Sequence, residues 1–405
     1  MSERVASKSS SVILPYAWVI LVVVYLASVA APLSQYQVPP ILPILMQTFQ
    51  LDLTQAGLLM SVFALTGLIL ALPAGIILGR LGPKITGLIA LACLAVGSAL
   101  GAISTGVGLL LGSRVIEGVG MGLLGVVAPA SIAMWFPPEK QGTPMGIWAT
   151  WFPVGSVAMF LLAPTLATTF GWPVVWWVVA AYTLLIMLAY GLLMRLPSAG
   201  EMPASPQLDE EQGQATNDLR AALANRHIWL LGLQFACFNL VFIALATFFP
   251  TFLSEVRGYP LQQAAWITSI PTAVVLLSAP LAGWLSDRIA SRRLVFSIPF
   301  LAIAVLMLLP FRLTGWQIYA MMALLGLVAG ANPTATFAAA PELMKKPQWA
   351  GIGLGVIMLG QNLGTLIGPV MFGSLVRDLN WVLAGYALVP VCLLGFASAW
   401  LVKVR

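Results

Sequence analysis

The sequence predicts an all-α membrane protein of about twelve transmembrane helices, arranged as two pseudo-symmetric six-helix bundles. Three observations predict it. Of 405 residues, 60% are hydrophobic and only 8% are charged, and the mean hydropathy is +0.97. A soluble domain carries roughly 25% charged residues, so most of this surface must face lipid. Apolar runs recur along the whole chain at the length of roughly 20 residues that a 30 Å hydrocarbon core requires. Lysine and arginine crowd into alternate loops, the asymmetry that sets orientation in a membrane.

Hydropathy and turn residues place the helices at 16–38, 53–79, 84–105, 107–135, 142–168, 172–195, 228–253, 261–285, 293–311, 315–340, 350–376 and 381–402. The first run has spanning length and no small-residue cleavage pattern after it, so it reads as a retained helix rather than a signal peptide. Several connections are turn-length, such as Leu81-Gly82-Pro83 and Arg312-Leu313-Thr314-Gly315. The segment from Pro197 to Asn225 differs from all of these. It is polar and acidic, with Glu201, Asp209, Glu210, Glu211 and Asp218, which is linker composition. The expected organisation is a six-helix bundle over 1–195, a cytoplasmic linker over 196–226 and a second six-helix bundle over 227–405.

With the N-terminus placed in the cytoplasm, fifteen basic residues fall inside: Arg4, Lys8, Arg80, Lys84, Lys140, Arg195, Arg220, Arg226, Arg288, Arg292, Arg293, Lys345, Lys346, Lys403 and Arg405. Only three, Arg257, Arg312 and Arg377, fall outside. The excess predicts a multi-pass protein of the inner membrane with both termini cytoplasmic. One missed helix would invert every later loop and scramble the pattern, so the split also checks the span count.

The two halves echo one another. Gly75 to Lys84 follows helix 2 as Gly283 to Arg293 follows helix 8, with the glycines 208 positions apart. Gly155 and Trp172 correspond to Gly364 and Trp381, each pair 209 apart. The segment Gly283-Trp284-Leu285-Ser286-Asp287-Arg288-Ile289-Ala290-Ser291-Arg292-Arg293 resembles the major facilitator signature Gly-x-x-x-Asp-Arg-x-x-x-Arg-Arg. The first-half copy, from Gly75 to Arg80, has Gly79 where that family has Asp. Arg114 to Gly120 is similar to the family's helix 4 motif Arg-x-x-Gln-Gly-x-Gly, with Glu117 in place of Gln. Trp135 to Glu139, Met145 to Trp172 and Gln361 to Trp381 are similar to the cyanate and nitroimidazole permease group within it. The resemblance covers essentially the whole chain. It implies a secondary transporter that works by alternating access, with its solute site between two repeats near the bilayer midplane.

Candidate functional residues follow from charge and depth. Gly75, Arg80, Gly283, Asp287, Arg288 and Arg292 form a gating motif, in which Asp287 and Arg288 can latch helices at the cytoplasmic face in one state. Arg114 and Glu117 are the exception to the placement of charge in loops. Three residues apart, they share a helix face and can pair. An intramembrane charge is costly and is a functional candidate by default, with Arg114 attracting an anion and Glu117 accepting a proton. The competing reading is an ion pair that ties helix 4 to helix 1. Polar or aromatic candidates for the cavity are Tyr25, Gln35, Trp151, Gln234, Asn239, Trp266, Asn332 and Gln361. Ser28, Trp148 and Asn362 are further candidates. Gln361 and Asn362 cannot both face the cavity, since adjacent helical residues diverge by about 100°. The glycine runs 118–122, 351–355 and 364–368 read as close-packing surfaces.

The composition also excludes classes. His227 is the only histidine and lies at a helix end, and Cys93, Cys237 and Cys392 sit in apolar runs. No metal site, cofactor or catalytic set follows from these residues, and no nucleotide-binding loop is present. An enzyme is not expected. The expected partners are a small-molecule solute, the lipid bilayer and, if Glu117 titrates, protons. The basic balance of +6 reads as membrane topology and not as nucleic-acid binding, and a monomer is expected. Two substrate readings stay open. Arg114 and the permease-like stretches point to a small organic or inorganic anion. An apolar interior rich in Trp and Met points instead to export of amphipathic or drug-like compounds. A transporter-derived sensor is a third.

Overall fold

The structure, a computed structural model, describes residues 14–71, 73–137, 140–197, 224–289, 291–344 and 350–403. Most of the expected linker, and the basic residues Arg4, Lys8, Arg220, Lys345, Lys346 and Arg405, lie outside the described residues.

Helix 1 is Pro15–Gln35, and it is prolonged through a 3-10 turn at Pro39–Ile41 into the short helix Leu42–Phe49. Helix 2 begins at Leu53–Leu70, with Asp52 closing a capping box on Gln55. The next helical stretch, Pro73–Ala102, is interrupted at Gly82, where φ is +73° and ψ is 168°. Ala71 keeps helical dihedrals across the first break, so residues 73–81 prolong helix 2 and 83–102 form helix 3. Gly82 supplies a backbone conformation that a side chain would resist, at the turn expected there. Helix 4 is Val107–Trp135, and helix 5 is Gly142–Ala149 followed by Trp151–Phe170. Helix 6 is Pro173–Leu193, and helix 7 is Arg226–Thr251 with a π-turn at Phe252–Val256. Helix 8 is Leu261–Ile289, helix 9 is Arg292–Leu306, and helix 10 is Trp316–Ala329 with Ala331–Leu343. Helix 11 is Ala350–Asp378 and helix 12 is Trp381–Leu401.

Among the described residues, eleven helical stretches are long and apolar enough to cross a membrane. The remaining one, helix 9, has 15 residues and is lengthened by turns, in which Met307 N–H donates to the Ile303 carbonyl and Arg312 N–H to that of Leu309. The expected spans therefore recur in order. The main departure is at helix 1, which was expected to end at 38 and instead turns at its proline pair and runs on to Phe49.

Helices 1–6 pack together as one bundle and helices 7–12 as the other. One apolar core lies wholly within the first bundle. The second core fills the second bundle and crosses into the first through Leu33, Tyr36, Leu59 and Phe160. Small residues set the closest approaches. Gly118 lies against Thr66 and the Phe63 carbonyl of helix 2, and a Cβ at Gly120 would lie 2.6 Å from the Ala90 carbonyl oxygen of helix 3. Gly360, Gly364 and Gly368 of helix 11 meet the carbonyls of Gly232, Ala236 and Leu240 on helix 7.

Candidate functional site

The two bundles meet at the end remote from the termini. There Asp52 of helix 2 faces Arg377 of helix 11 at 3.8 Å, and the Thr54 and Ser374 hydroxyls are 3.2 Å apart. A Cβ at Gly57 would sit 2.6 Å from the Pro369 carbonyl oxygen. Helix 5 meets helix 8 through Gln262, whose Oε1 accepts from the Thr165 hydroxyl at 2.6 Å and whose Nε2 donates to the Leu161 carbonyl at 2.8 Å. The Pro39–Ile41 turn packs on helix 7. Among the described residues, the hydrogen bonds and ion pairs that join the bundles all lie at this end. On the face that carries the termini, no such bond joins described residues of the two bundles.

Helical geometry identifies the side chains that face the interior between the bundles. On helix 11, Gly360, Gly364 and Gly368 turn to helix 7, Asn362 and Pro369 turn to Gly67 and Gly57 of helix 2, and Leu363 and Ile367 are exposed on the opposite side. At 100° per residue, Gln361 falls in the sector between helix 7 and helix 2, and it is partly exposed. The carboxamide of Asn362 points at Gly67 instead, which resolves the choice between the two neighbours. On helix 5, Gly155 turns to Pro32 of helix 1 and Thr165 to helix 8. Trp151 lies between these directions and is also partly exposed. Tyr25 shares a hydrogen bond with the Thr150 hydroxyl at 3.0 Å, and Asn239 borders Gly364. At 1.5 Å per residue, Tyr25, Trp151, Asn239 and Gln361 lie about 14–20 Å from the helix ends on the terminal face, which is mid-depth in a spanning helix.

Other expected site residues lie inside the bundles. Arg114 and Glu117 are both 0% exposed and pair at 2.5 Å. The Arg114 guanidinium also donates to the carbonyls of Ser34 at 2.6 Å, Gln35 at 3.0 Å and Leu59 at 3.1 Å, and it stacks over the Phe63 ring. The Ser34 and Gln35 carbonyls are at the end of Pro15–Gln35. Pro39 has no N–H to return to Gln35, and Arg114 supplies the missing donor. Glu117 accepts from the Ser98 hydroxyl at 2.7 Å, which accepts from Gln37 Nε2 at 3.2 Å. The pair thus ties helix 4 to helices 1, 2 and 3. Gln35 is buried beside it.

Gln234 and Asn332 are 0% exposed and bonded to one another at 2.9 Å, and Gln234 Nε2 donates to Thr336 at 2.7 Å. This network joins helix 7 to helix 10 within the second bundle. Trp266 is 46% exposed, but it stands five residues into helix 8 at the closed end, against Tyr319, and so is remote from mid-depth. Of the gating motif, Gly75 and Arg80 are exposed, and Gly283 packs on Thr334 of helix 10. Arg288 lies over Trp284, and Arg292 pairs with Glu342 at 2.7 Å. The side chain of Asp287 lies outside the described residues.

Sequence reasoning missed the phenylalanines of helix 7. Phe235, Phe238 and Phe242 stack along one side of it, with Phe337 of helix 10 edge-on to Phe235. Their 3–4 residue spacing was visible, but phenylalanine in a membrane helix is uninformative until its neighbours are known. Ser98 and Gln37 were missed because their partners come from other helices.

Two repeated six-helix bundles, closed over a mid-depth interior at one end, define a polytopic membrane protein of duplicated design. The chain belongs to the Major Facilitator Superfamily, whose family model matches residues 24–347 and 261–405. It is 22% identical to a hexuronate transporter of Bacillus subtilis over 67% of this chain; the match spans 64% of that transporter, just under two thirds of its length. It is 23% identical to a probable sulfoacetate transporter of Cupriavidus necator, over 85% of this chain and 84% of that protein. Among solved structures, it is similar to a bacterial homologue of the human lysosomal transporter Spinster in an inward-facing, unoccupied conformation. The TM-score is 0.82 at 18% identity, covering 96% of this chain and 97% of that one.

Proposed function

We propose that this chain is a secondary transporter that moves a small organic anion by alternating access across a cell's inner membrane. The observation that carries the reading is the one-ended closure. The bundles are joined by the Asp52–Arg377, Thr54–Ser374 and Thr165–Gln262 contacts, while partly exposed Tyr25, Trp151, Asn239 and Gln361 stand at mid-depth behind the end that lacks such bonds among the described residues. Anion transport is supported by the names of the hexuronate and sulfoacetate relatives. The excess of Lys and Arg in the loops of the terminal face supports cytoplasmic termini, and in that reading this state is inward-open. Residues 196–226 then join the bundles on the cytoplasmic side.

In this reading Asp287 and Arg288 latch the cytoplasmic face when it closes. Glu117 is the candidate proton carrier, because among the described residues it is the only acid within the membrane interior. A second reading, export of an amphipathic compound, is favoured by one observation: the described side chains facing the mid-depth interior carry no charge. Reconstitution into liposomes tests both. Counterflow of a labelled organic anion supports the first. Movement of lipophilic cations or neutral compounds with no anion exchange supports the second, and folded protein that exchanges no solute leaves the sensor reading.

A further inference from the structure

Helices 9 and 12 pack against one another and against their own bundle, so the apolar sides that they leave exposed face lipid. On helix 12 that side carries Leu394 and Leu401, two turns apart, and the Trp400 ring, which is 44% exposed. At the terminal-face end the chemistry changes. The guanidinium of Arg293, in the first turn of helix 9, lies over the Trp400 ring at 4.2 Å from its centroid. Phe396 stacks on the same indole at 5.7 Å. The main-chain N–H of Lys403, two residues past the end of helix 12, donates to Nδ1 of His227 at 3.4 Å, and the Ser398 hydroxyl donates to the Leu230 carbonyl at 2.7 Å. This end of helix 12 is thus pinned between helix 7 and helix 9.

The arginines around the loop between helices 8 and 9 are differently engaged. Arg292 is spent on Glu342 at 2.7 Å, and Arg288 lies over Trp284. No carboxylate pairs with Arg293 among the described residues, and its enclosed Nε makes no hydrogen bond. A guanidinium on a ring is held by its face, so the outer N–H groups in its plane stay available in the fork that suits a phosphate. Two more cations stand at this end. Lys403 and Arg226 are exposed, and Arg226 adjoins the His227 that meets Lys403. Lys403 is three residues from Trp400, hence within about 11 Å of it along the chain, on the order of one Debye length. A positive end above an apolar side is the complement of an anionic amphiphile. A soluble anion would use only the positive end, and a zwitterionic lipid would bring a cation of its own beside Arg293.

We propose that Arg293 and Trp400 form a binding site for an anionic phospholipid of the leaflet on the terminal face. The lipid phosphodiester accepts from the Arg293 guanidinium. Lys403 and Arg226 add attraction without direct contact, and an acyl chain lies along the Leu394–Leu401 side of helix 12. Trp400 is the platform: its ring holds Arg293 at headgroup level, where tryptophan itself is favoured. The site is independent of which solute is carried.

The test uses the full-length protein in neutral detergent, with dioleoylphosphatidylglycerol, dioleoylphosphatidylcholine and glycerol 3-phosphate as probes. Native mass spectrometry counts the lipid retained on folded protein. Phosphatidylglycerol is expected to bind about fivefold more tightly than phosphatidylcholine, with the gap narrowing as salt is raised. Arg293→Gln and Trp400→Leu should each weaken phosphatidylglycerol about threefold to tenfold and leave phosphatidylcholine nearly unchanged. Arg293→Lys keeps the charge and should restore part of the loss, which separates a headgroup contact from a folding defect. Arg312→Gln removes a guanidinium that lies over Tyr386 at the opposite end, and it should change neither lipid. Equal retention of the two lipids, or phosphatidylglycerol binding untouched by Arg293→Gln, would overturn the site. An equal loss in Arg312→Gln would overturn it too, since the attraction would then be spread over the whole protein. Displacement of phosphatidylglycerol by an equal concentration of glycerol 3-phosphate would overturn the lipid assignment and leave a site for soluble phosphates.

Discussion

Replacing Glu117 by Gln removes the counter-charge of a guanidinium that has no access to solvent. Arg114 makes four hydrogen bonds, one to Glu117 and three to the carbonyls of Ser34, Gln35 and Leu59. Breaking a buried pair by removing one partner costs about 3–5 kcal/mol, because the other charge stays behind. Glu117→Gln should therefore lose about that much. Arg114→Gln strands a carboxylate and also deprives the three carbonyls of a donor, two of them at the helix 1 break. At about 1 kcal/mol for each lost bond, it should be the more damaging single change. With both charges gone, the double Gln variant keeps only the carbonyl term and should cost about 1–3 kcal/mol. The cycle then has a coupling of at least about 3 kcal/mol, far outside the additivity of independent sites. Reversible unfolding in mixed micelles, followed by circular dichroism, measures all four proteins. Additivity to within about 0.5 kcal/mol would refute the reasoning. Transport supplies the second half of the test. A purely structural pair predicts that the double variant exchanges anions like the parent, whereas a well-folded double variant that cannot exchange them would put Arg114 in the substrate path.

Three further outcomes follow from the same geometry. Glu117→Gln should abolish accumulation driven by an imposed pH gradient and spare exchange if Glu117 carries the coupled proton; undiminished accumulation would remove it from that role. Gln262→Ala combined with Arg377→Ala removes two of the side chains that clamp the bundles at the closed end, and should raise thiol labelling of a cysteine in place of the buried Ser61 about fivefold or more, because the loss of contacts worth about 1 kcal/mol apiece biases the equilibrium toward opening there; unchanged labelling would show that the Thr54–Ser374 and glycine-lined contacts are enough to hold that end shut. A cysteine at Gln207 should be shielded from an impermeant reagent in intact cells while one at Glu255 reacts, and the reverse pattern would overturn the topology.

The spans were legible because hydropathy acts residue by residue. Lipid solvates the outside of each helix independently of its neighbours, so a run of apolar residues declares itself locally. Helix 1 is the instructive exception. Its apolar run continues past Val38, and the proline pair at 39–40 reads as an end. The chain goes on because Arg114, 79 residues away, supplies a donor to the Gln35 carbonyl that Pro39 leaves unpaired, and another to the Ser34 carbonyl beside it. The depth of Arg114 and its pairing with Glu117 were readable from their spacing. The carbonyls it would reach and the Ser98–Gln37 extension were not, since these come from three other helices.

What the sequence determined by itself is the number of helices, the duplication, the charge asymmetry across the membrane and the glycines that allow close contact. Each is a property of composition or of spacing along one helix. The tertiary structure alone decided which polar residues belong to the interior between the bundles and which are cross-links within them. Tyr25 and Gln234 occupy corresponding positions of the two halves, 209 apart. Yet Tyr25 is partly exposed beside the break in helix 5, while Gln234 is sealed against Asn332 and Thr336. The physical reason is that a polar side chain in a low-dielectric interior must find a partner, and whether that partner is a neighbouring helix or a solute depends on how the helices are rotated against one another, which no single run of sequence records.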